Sequence, residues 1–114
     1  MWTDHYSKTA AAPMDNPLAK GVTMRILIGD NRGAPNFIMR LFEVQPGGHS
    51  PRHSHAFEHE IFVLDGKASI FGGGAEKEAG PGFAVFIPGN EEHQIRNAGD
   101  SVLRFLCLIP KSGG

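Results

Sequence analysis

Four of the six histidines in this chain fall in a pattern that can do chemistry: His53, His55 and His59 in HSHAFEH, and His93 in NEEHQ. Side chains of an extended chain alternate between two faces, so 53, 55 and 59 point the same way. That parity continues into Ile61 and Val63, which marks the shared face as buried. Imidazoles gathered on a buried face need partners, because an unpaired polar group out of water is costly. A metal ion supplies one, and imidazole is the commonest protein ligand for it. The spacing predicts a site of His53, His55, His59 and His93, with three imidazoles on one strand and the fourth arriving from another. A small barrel permits this, since its inward faces look at one axis. The competing reading is a solvated strip in which HSH is part of a turn. His5 sits in a polar segment and reads as exposed, and His49, in PGGHSPRH, reads as a rim residue of a loop.

Strands must carry these residues, and the chain offers apolar runs of strand length between breakers. They are VTMRILIG, NFIMRLFEV, HAFEHEIFVL, KASIF, FAVFI, HQIRN and VLRFLCLI. PGG at 46–48, GGG at 72–74, AEKEAGPG and Ala98-Gly99-Asp100 read as turns, and Asp65-Gly66 between apolar runs is a hairpin signal. No helix N-terminus follows GGG or the GPG at 80–82, so neither reads as a phosphate loop. No run of helical spacing is long enough for a convincing helix. The expectation is all-β: short, mostly antiparallel strands in one closed barrel or sandwich. Residues 1–20 are polar and without sustained periodicity, which predicts an arm, followed by a single barrel domain over 21–114.

Composition narrows the partners. With 114 residues, a net charge of -1 and scattered Lys and Arg, the chain has no electrostatic footprint for nucleic acid. Its apolar runs fall far short of the roughly 20 residues that cross a membrane, and no charged-then-apolar leader opens it. A soluble, cytoplasmic protein is expected. One cysteine removes the disulfide-scaffold class, and 15 Gly with 8 Pro favour many turns.

Two stretches carry a family resemblance. GGHSPRHSHAFEHEIFVLDG, from Gly47 to Gly66, resembles the first cupin motif, G(X)5HXH(X)3,4E(X)6G, with Gly47, His53, His55 and Gly66 in place. GFAVFIPGNEEHQIRN, from Gly82 to Asn97, resembles the second, G(X)5PXG(X)2H(X)3N, with Gly82, Pro88, His93 and Asn97 in place. The resemblance covers about Val22 to Ile109 and implies a double-stranded β-helix, the cupin jelly-roll barrel. Where the family usually has Glu this chain has His59, and Glu60 one step on is the rival ligand. His59 shares parity with His53 and His55, and six residues separate it from Gly66. Asn90 replaces the last Gly of PXG, and Asn tolerates a left-handed turn. The chain is also similar to the small manganese-binding cupins that use four histidines, including their PNFxMRLFxVxPGG and FLCLIPK stretches. The resemblance favours Mn, while imidazole also suits Fe, Ni, Cu or Zn.

Four neutral ligands leave the ion its full charge, and an octahedral ion keeps positions open for water, substrate or dioxygen. In VLRFLCLI, Arg104 shares a face with Val102, Leu106 and Leu108, so the face of Phe105, Cys107 and Ile109 is expected inside. Cys107 is then a thiol near the metal, or simply a small buried hydrophobe. Arg40 shares its face with Ile38, Phe42 and Val44. Inward, it would orient a carboxylate substrate or an oxygen intermediate; outward, it would form a salt bridge. The leading functional expectation is a dioxygenase-type oxidoreductase acting on a small apolar or aromatic substrate. The alternatives are a non-catalytic metal or small-ligand binding module and a metal-dependent sugar isomerase or epimerase. A homodimer is expected because Phe62, Leu64, Val102, Leu106 and Leu108 fall on the outward parity and the arm carries Trp2 and Tyr6.

Overall fold

Strict alternation of apolar and polar positions shapes the last strand. Leu103, Phe105, Cys107 and Ile109 are buried, while Val102, Arg104, Leu106 and Leu108 between them are half-buried on the other face. The interior face of this strand is thus the one its parity predicts. A computed structural model describes residues 1–113; Gly114, the end of the domain expected over 21–114, lies outside the described residues. The strands are β1 (Ala12–Pro13), β2 (Lys20–Ile28), β3 (Phe37–His49), β4 (His59–Asp65), β5 (Ala68–Gly72), β6 (Ala75–Ala79), β7 (Ala84–Ile87), β8 (His93–Asn97) and β9 (Leu103–Pro110). Every strand pair is antiparallel. The hydrogen-bonded order is β6-β5-β8-β3-β9-β4-β7, with β2 on β3 and β1 on β2. The sheet curls into the jelly-roll barrel expected from the sequence, with β6, β7 and the short β1 at its edges. No helix of the described residues is long and apolar enough to cross a membrane.

The core lies between the two halves of the curl. Val44, Val63, Leu103 and Phe105 are each at most 3% exposed and pack in one cluster with Ala68, Ile70, Ile87 and Ile95. Phe42 and Phe105 stack with ring centres 5.2 Å apart. Burial of each such side chain contributes about 1.5–3 kcal/mol, and this apolar wall is what the polar cluster beside it rests on.

Several local expectations are corrected. Asp65-Gly66 does not make a hairpin: β4 pairs with β7 and β9, whereas β5 pairs with β6 and β8. Gly66 has φ 87, and a Cβ there would stand 2.8 Å from the Leu103 Cα, so this glycine serves close approach to the start of β9. The 46–48 turn lies inside β3, where pairing with β2 jumps from Val22–Val44 to Lys20–His49 and Gly47 takes φ 78. That bulge carries the tail of β3 to β8 through His49 and Arg96. AEKEA is strand β6, not turn; it is a polar edge, which lacks an apolar signal. GGG is a turn as expected, with Gly73 and Gly74 at φ 58 and 76 closing the β5–β6 hairpin.

Before β2 the chain forms a 3-10 turn, Tyr6–Lys8, and then β1, which pairs Ala12 with Met24. Tyr6 lies near the guanidinium groups of Arg25 and Arg104, at 5.1 and 4.8 Å, and Trp2 covers Arg32 at 3.9 Å.

Candidate metal centre

The histidines come together, but not on one strand as expected. His59 opens β4 and His93 opens β8, whereas His53 and His55 lie in the loop before β4. Extended backbone continues through that loop, and from Pro51 to Val63 odd positions are at least half-buried while even ones are exposed. Parity therefore holds without a ladder. His53 is tied to His93 by a two-way backbone bridge, with N···O distances of 3.1 and 2.9 Å. His55 is held by its carbonyl, which accepts from Asn90 N at 2.6 Å. Asn90 takes φ 66, the left-handed conformation anticipated for it. Beside it, a Cβ on Gly89 would stand 2.3 Å from the Ala56 carbonyl oxygen. Only glycine lets the PGN loop lie this close to the HSHA loop, a requirement set by a contact between distant segments that leaves no local signal in the sequence.

Ring centres of His53–His55, His53–His93, His55–His59, His55–His93 and His59–His93 are all 4.8–4.9 Å apart. Candidate ligand atoms of His53, His55 and His93 lie within 4.8 Å of one another, and His59 joins through Nε2, 2.9 Å from His55 Nε2. Two imidazole nitrogens bound at about 2.1 Å and at right angles on one ion stand about 3 Å apart, so this spacing suits a shared metal.

Hydrogen bonds orient the donors. Nδ1 of His55 donates to the Phe57 carbonyl at 2.8 Å, and Nδ1 of His93 donates to the Glu91 carbonyl at 2.9 Å. A carbonyl can only accept, so in both rings Nε2 keeps its lone pair. His55 Nε2 thus turns a lone pair towards His59 Nε2, an arrangement that a cation or a proton must relieve. His59 Nδ1 lies 3.1 Å from Cys107 Sγ. Burial first, then His93 and Arg40, push His59 down to about 3. Burial also lowers His53 and His55, with His93 acting in the same direction. These three imidazoles are accordingly neutral at pH 7, the form that binds metal.

The remaining candidates fall into two groups. Cys107 is 2% exposed, and Arg40, its register partner on β3, turns inward so that Nη2 donates to Cys107 Sγ at 3.2 Å. Phe105 is buried in the wall. Burial pushes the Cys107 thiol up, and Arg40 opposes that shift. Glu60, by contrast, is exposed on the even side of β4, paired with Phe86 and Leu108. His49 turns Nδ1 to its neighbour, the Ser50 carbonyl, at 3.0 Å, and His5 is exposed. A cavity of about 610 Å³ lies between the β5–β6 hairpin and β7; no imidazole lines it, but Gly72 and Glu91, which flank His93, do.

Fold and site define a small jelly-roll barrel with a histidine cluster inside it. The cupin domain family matches residues 40–109, and the chain belongs to that family. It is 34% identical over 104 residues to 1-methylthio-D-xylulose 5-phosphate methylsulfurylase of Rhodospirillum rubrum, covering 91% of this chain. The match takes in 62% of that curated relative, so the chain spans less than two thirds of its length. The structure of the polyketide cyclase RemF from Streptomyces resistomycificus is similar at TM-score 0.91 and 38% identity, over 97% of this chain and 80% of that one. A cupin-2 domain from Rhodospirillum rubrum is similar at TM-score 0.80 and 30% identity, over 96% and 74%. These names span different chemistries, so family membership alone does not select a reaction.

Proposed function

We propose that this cupin is a divalent-metal-dependent enzyme acting on a small organic substrate, with His53, His55, His59 and His93 as the ligands. The observation that carries the reading is the 2.9 Å approach of two Nε2 atoms within a cluster whose rings stand 4.8–4.9 Å apart. Manganese is the expected ion, with Fe, Ni, Cu or Zn as alternatives. When bound, it supplies Lewis acidity and open positions for an oxygen ligand. The chain's own groups do the rest. Phe57 and Glu91 carbonyls hold the His55 and His93 rings, and Cys107 Sγ, 3.1 Å from His59 Nδ1, backs the His59 ring with its Nε2 turned to the cluster. Ile61, Phe105 and Ile109 form an apolar wall that excludes water.

Likeness to a polyketide cyclase favours non-redox chemistry on an aromatic or polyketide-like substrate. The second reading is the dioxygenase-type oxidoreductase, favoured by the open positions that four ligands leave on the ion. The non-catalytic module and the sugar isomerase draw no specific support from the cluster. Residues 1–20 act as an arm on the barrel over 21–114. A homodimer is part of this proposal, since Phe62 and Phe86 are 45% and 59% exposed on one sheet face.

Metal analysis of purified protein is the primary test. His55→Ala or His93→Ala is expected to lose the bound ion and Glu60→Gln to keep it; retention in both histidine variants overturns the ligand assignment. Oxygen uptake with a panel of aromatic substrates separates the two chemistries, as only an oxygenase consumes dioxygen in step with substrate. Sedimentation equilibrium tests the dimer, which a monomeric mass at micromolar concentration would exclude.

A further inference from the structure

Arg40 carries a charge that nothing in the described residues neutralises. Its Nη2 meets Cys107 Sγ at 3.2 Å and its Nη1 meets Met24 Sδ at 4.0 Å, and sulfur is a weak acceptor. The guanidinium carbon lies 4.9 Å from the Phe42 ring centre. Nε is buried and has no hydrogen-bond partner. Among the described residues no carboxylate lies within 4.0 Å of Arg40, whereas Arg25, Arg52 and Arg96 each have one and Arg104 has two. A guanidinium does not shed its proton at any ordinary pH. Arg40 is half-buried with its Nε out of water, and holding such a cation without a counter-charge is costly, so its position favours a ligand that supplies one.

The position of this charge gives it a use. Nη2 stands 3.5 Å from His59 Nδ1, on the side of the ring opposite the Nε2 that joins the cluster. Cys107 Sγ lies 3.1 Å from His59 Nδ1 and accepts from Nη2 at 3.2 Å, so the sulfur sets the distance between Arg40 and the ligand ring. Four neutral imidazoles cancel none of an ion's charge, so an ion at the cluster and Arg40 together make a strongly cationic pocket with aromatic side chains beside it. We propose that the substrate is an oxyanion, a carboxylate or a phosphate ester, and that Arg40 is the group that binds its charged end. This deepens the metal-enzyme reading above and rests on it for the identity of the site. A bidentate fork to two oxygens is the geometry that guanidinium and oxyanion share.

Calorimetric titration of the full chain tests the assignment, with benzoate and phenyl phosphate as probes and benzamide as the uncharged control. Protein stripped of metal and protein incubated with Mn are titrated separately, and metal content is measured on the same samples. Wild-type protein is expected to bind at least one anion more tightly than benzamide in both forms. Arg40→Met should weaken that anion at least tenfold without changing metal content or the weak binding of benzamide. Preference between the two anions identifies the carboxylate or the phosphate class. If Arg40→Met does not fold, Arg40→Gln and Arg40→Lys serve, with Lys expected to retain more anion binding than Gln. Equal affinity for benzamide and both anions, or anion binding unchanged in the Arg40 variants, overturns the proposal. Failure of the wild-type chain to hold Mn strikes the four-histidine reading instead, because the stripped protein reports on Arg40 separately.

Discussion

Replacing Asn97 by alanine removes three hydrogen bonds at a junction of two strands and a turn. Asn97 ends β8, and its Nδ2 donates to the Val44 carbonyl on β3 at 2.9 Å and to the Ser101 carbonyl at 2.8 Å. Its Oδ1 accepts from Gly99 N at 2.9 Å, which closes the turn leading into β9. The side chain is buried, so water does not replace these partners in the variant. At about 1 kcal/mol net per bond, and somewhat more where a buried carbonyl is orphaned, Asn97→Ala should cost about 3 kcal/mol. That is a large share of the 5–15 kcal/mol typical of a domain. With a urea dependence of about 1.5 kcal/mol per molar, the unfolding midpoint should fall by roughly 2 M. Asn97→Asp is the sharper control: it keeps the acceptor for Gly99 but sets a carboxylate oxygen against two carbonyls, and should be at least as destabilised at pH 7. Equilibrium urea unfolding of the three proteins measures both effects. A loss below about 1 kcal/mol in Asn97→Ala would refute the view that this residue fastens β8 to β3. Metal content of the folded fraction should be unchanged, since Asn97 bonds to none of the clustered rings.

Acid should destabilise the metal-free protein. The imidazoles of His53, His55 and His59 are held below 6.5 in the fold, so the unfolded chain takes up protons first; stability is full above about 6.5 and falls as pH drops towards about 3, where His59 protonates in the folded state. Allowing for solvent screening of a partly open site, His59 accounts for about 1 kcal/mol of the loss between pH 7.5 and 5, which His59→Gln should abolish in urea unfolding; parallel pH profiles would refute it. Gly89→Ala should push the PGN loop off the Ala56 carbonyl and lower bound metal at least twofold by elemental analysis, while the far-ultraviolet circular dichroism of the barrel is retained. Cys107 should react slowly with a thiol reagent in the native protein and quickly in urea, and fast native labelling would place the interior of β9 on the wrong face.

Much of this architecture was legible in the chain because it is written in local alternation. A period of two over residues 51–63 and again along β9 assigns inside and outside from neighbouring residues alone, and it placed Phe105, Cys107 and the parity of His53, His55 and His59. The two motif stretches with their glycines added the family and the left-handed Asn90. Other features depended on residues far apart in sequence. Whether Arg40 points inward hangs on its pairing with Cys107 across β3 and β9, since its own strand neighbours are compatible with either side. The strand identity of AEKEA comes from its hydrogen bonds to β5 and not from burial, so a polar edge leaves no apolar trace. Asp65-Gly66 reads as a hairpin until tertiary pairing sends β4 and β5 to different neighbours, because a turn signal specifies backbone conformation and not the partner strand. Parity determined which rings share a face, but their 4.8–4.9 Å convergence required the PGN loop to reach the HSHA loop, a contact between segments more than thirty residues apart.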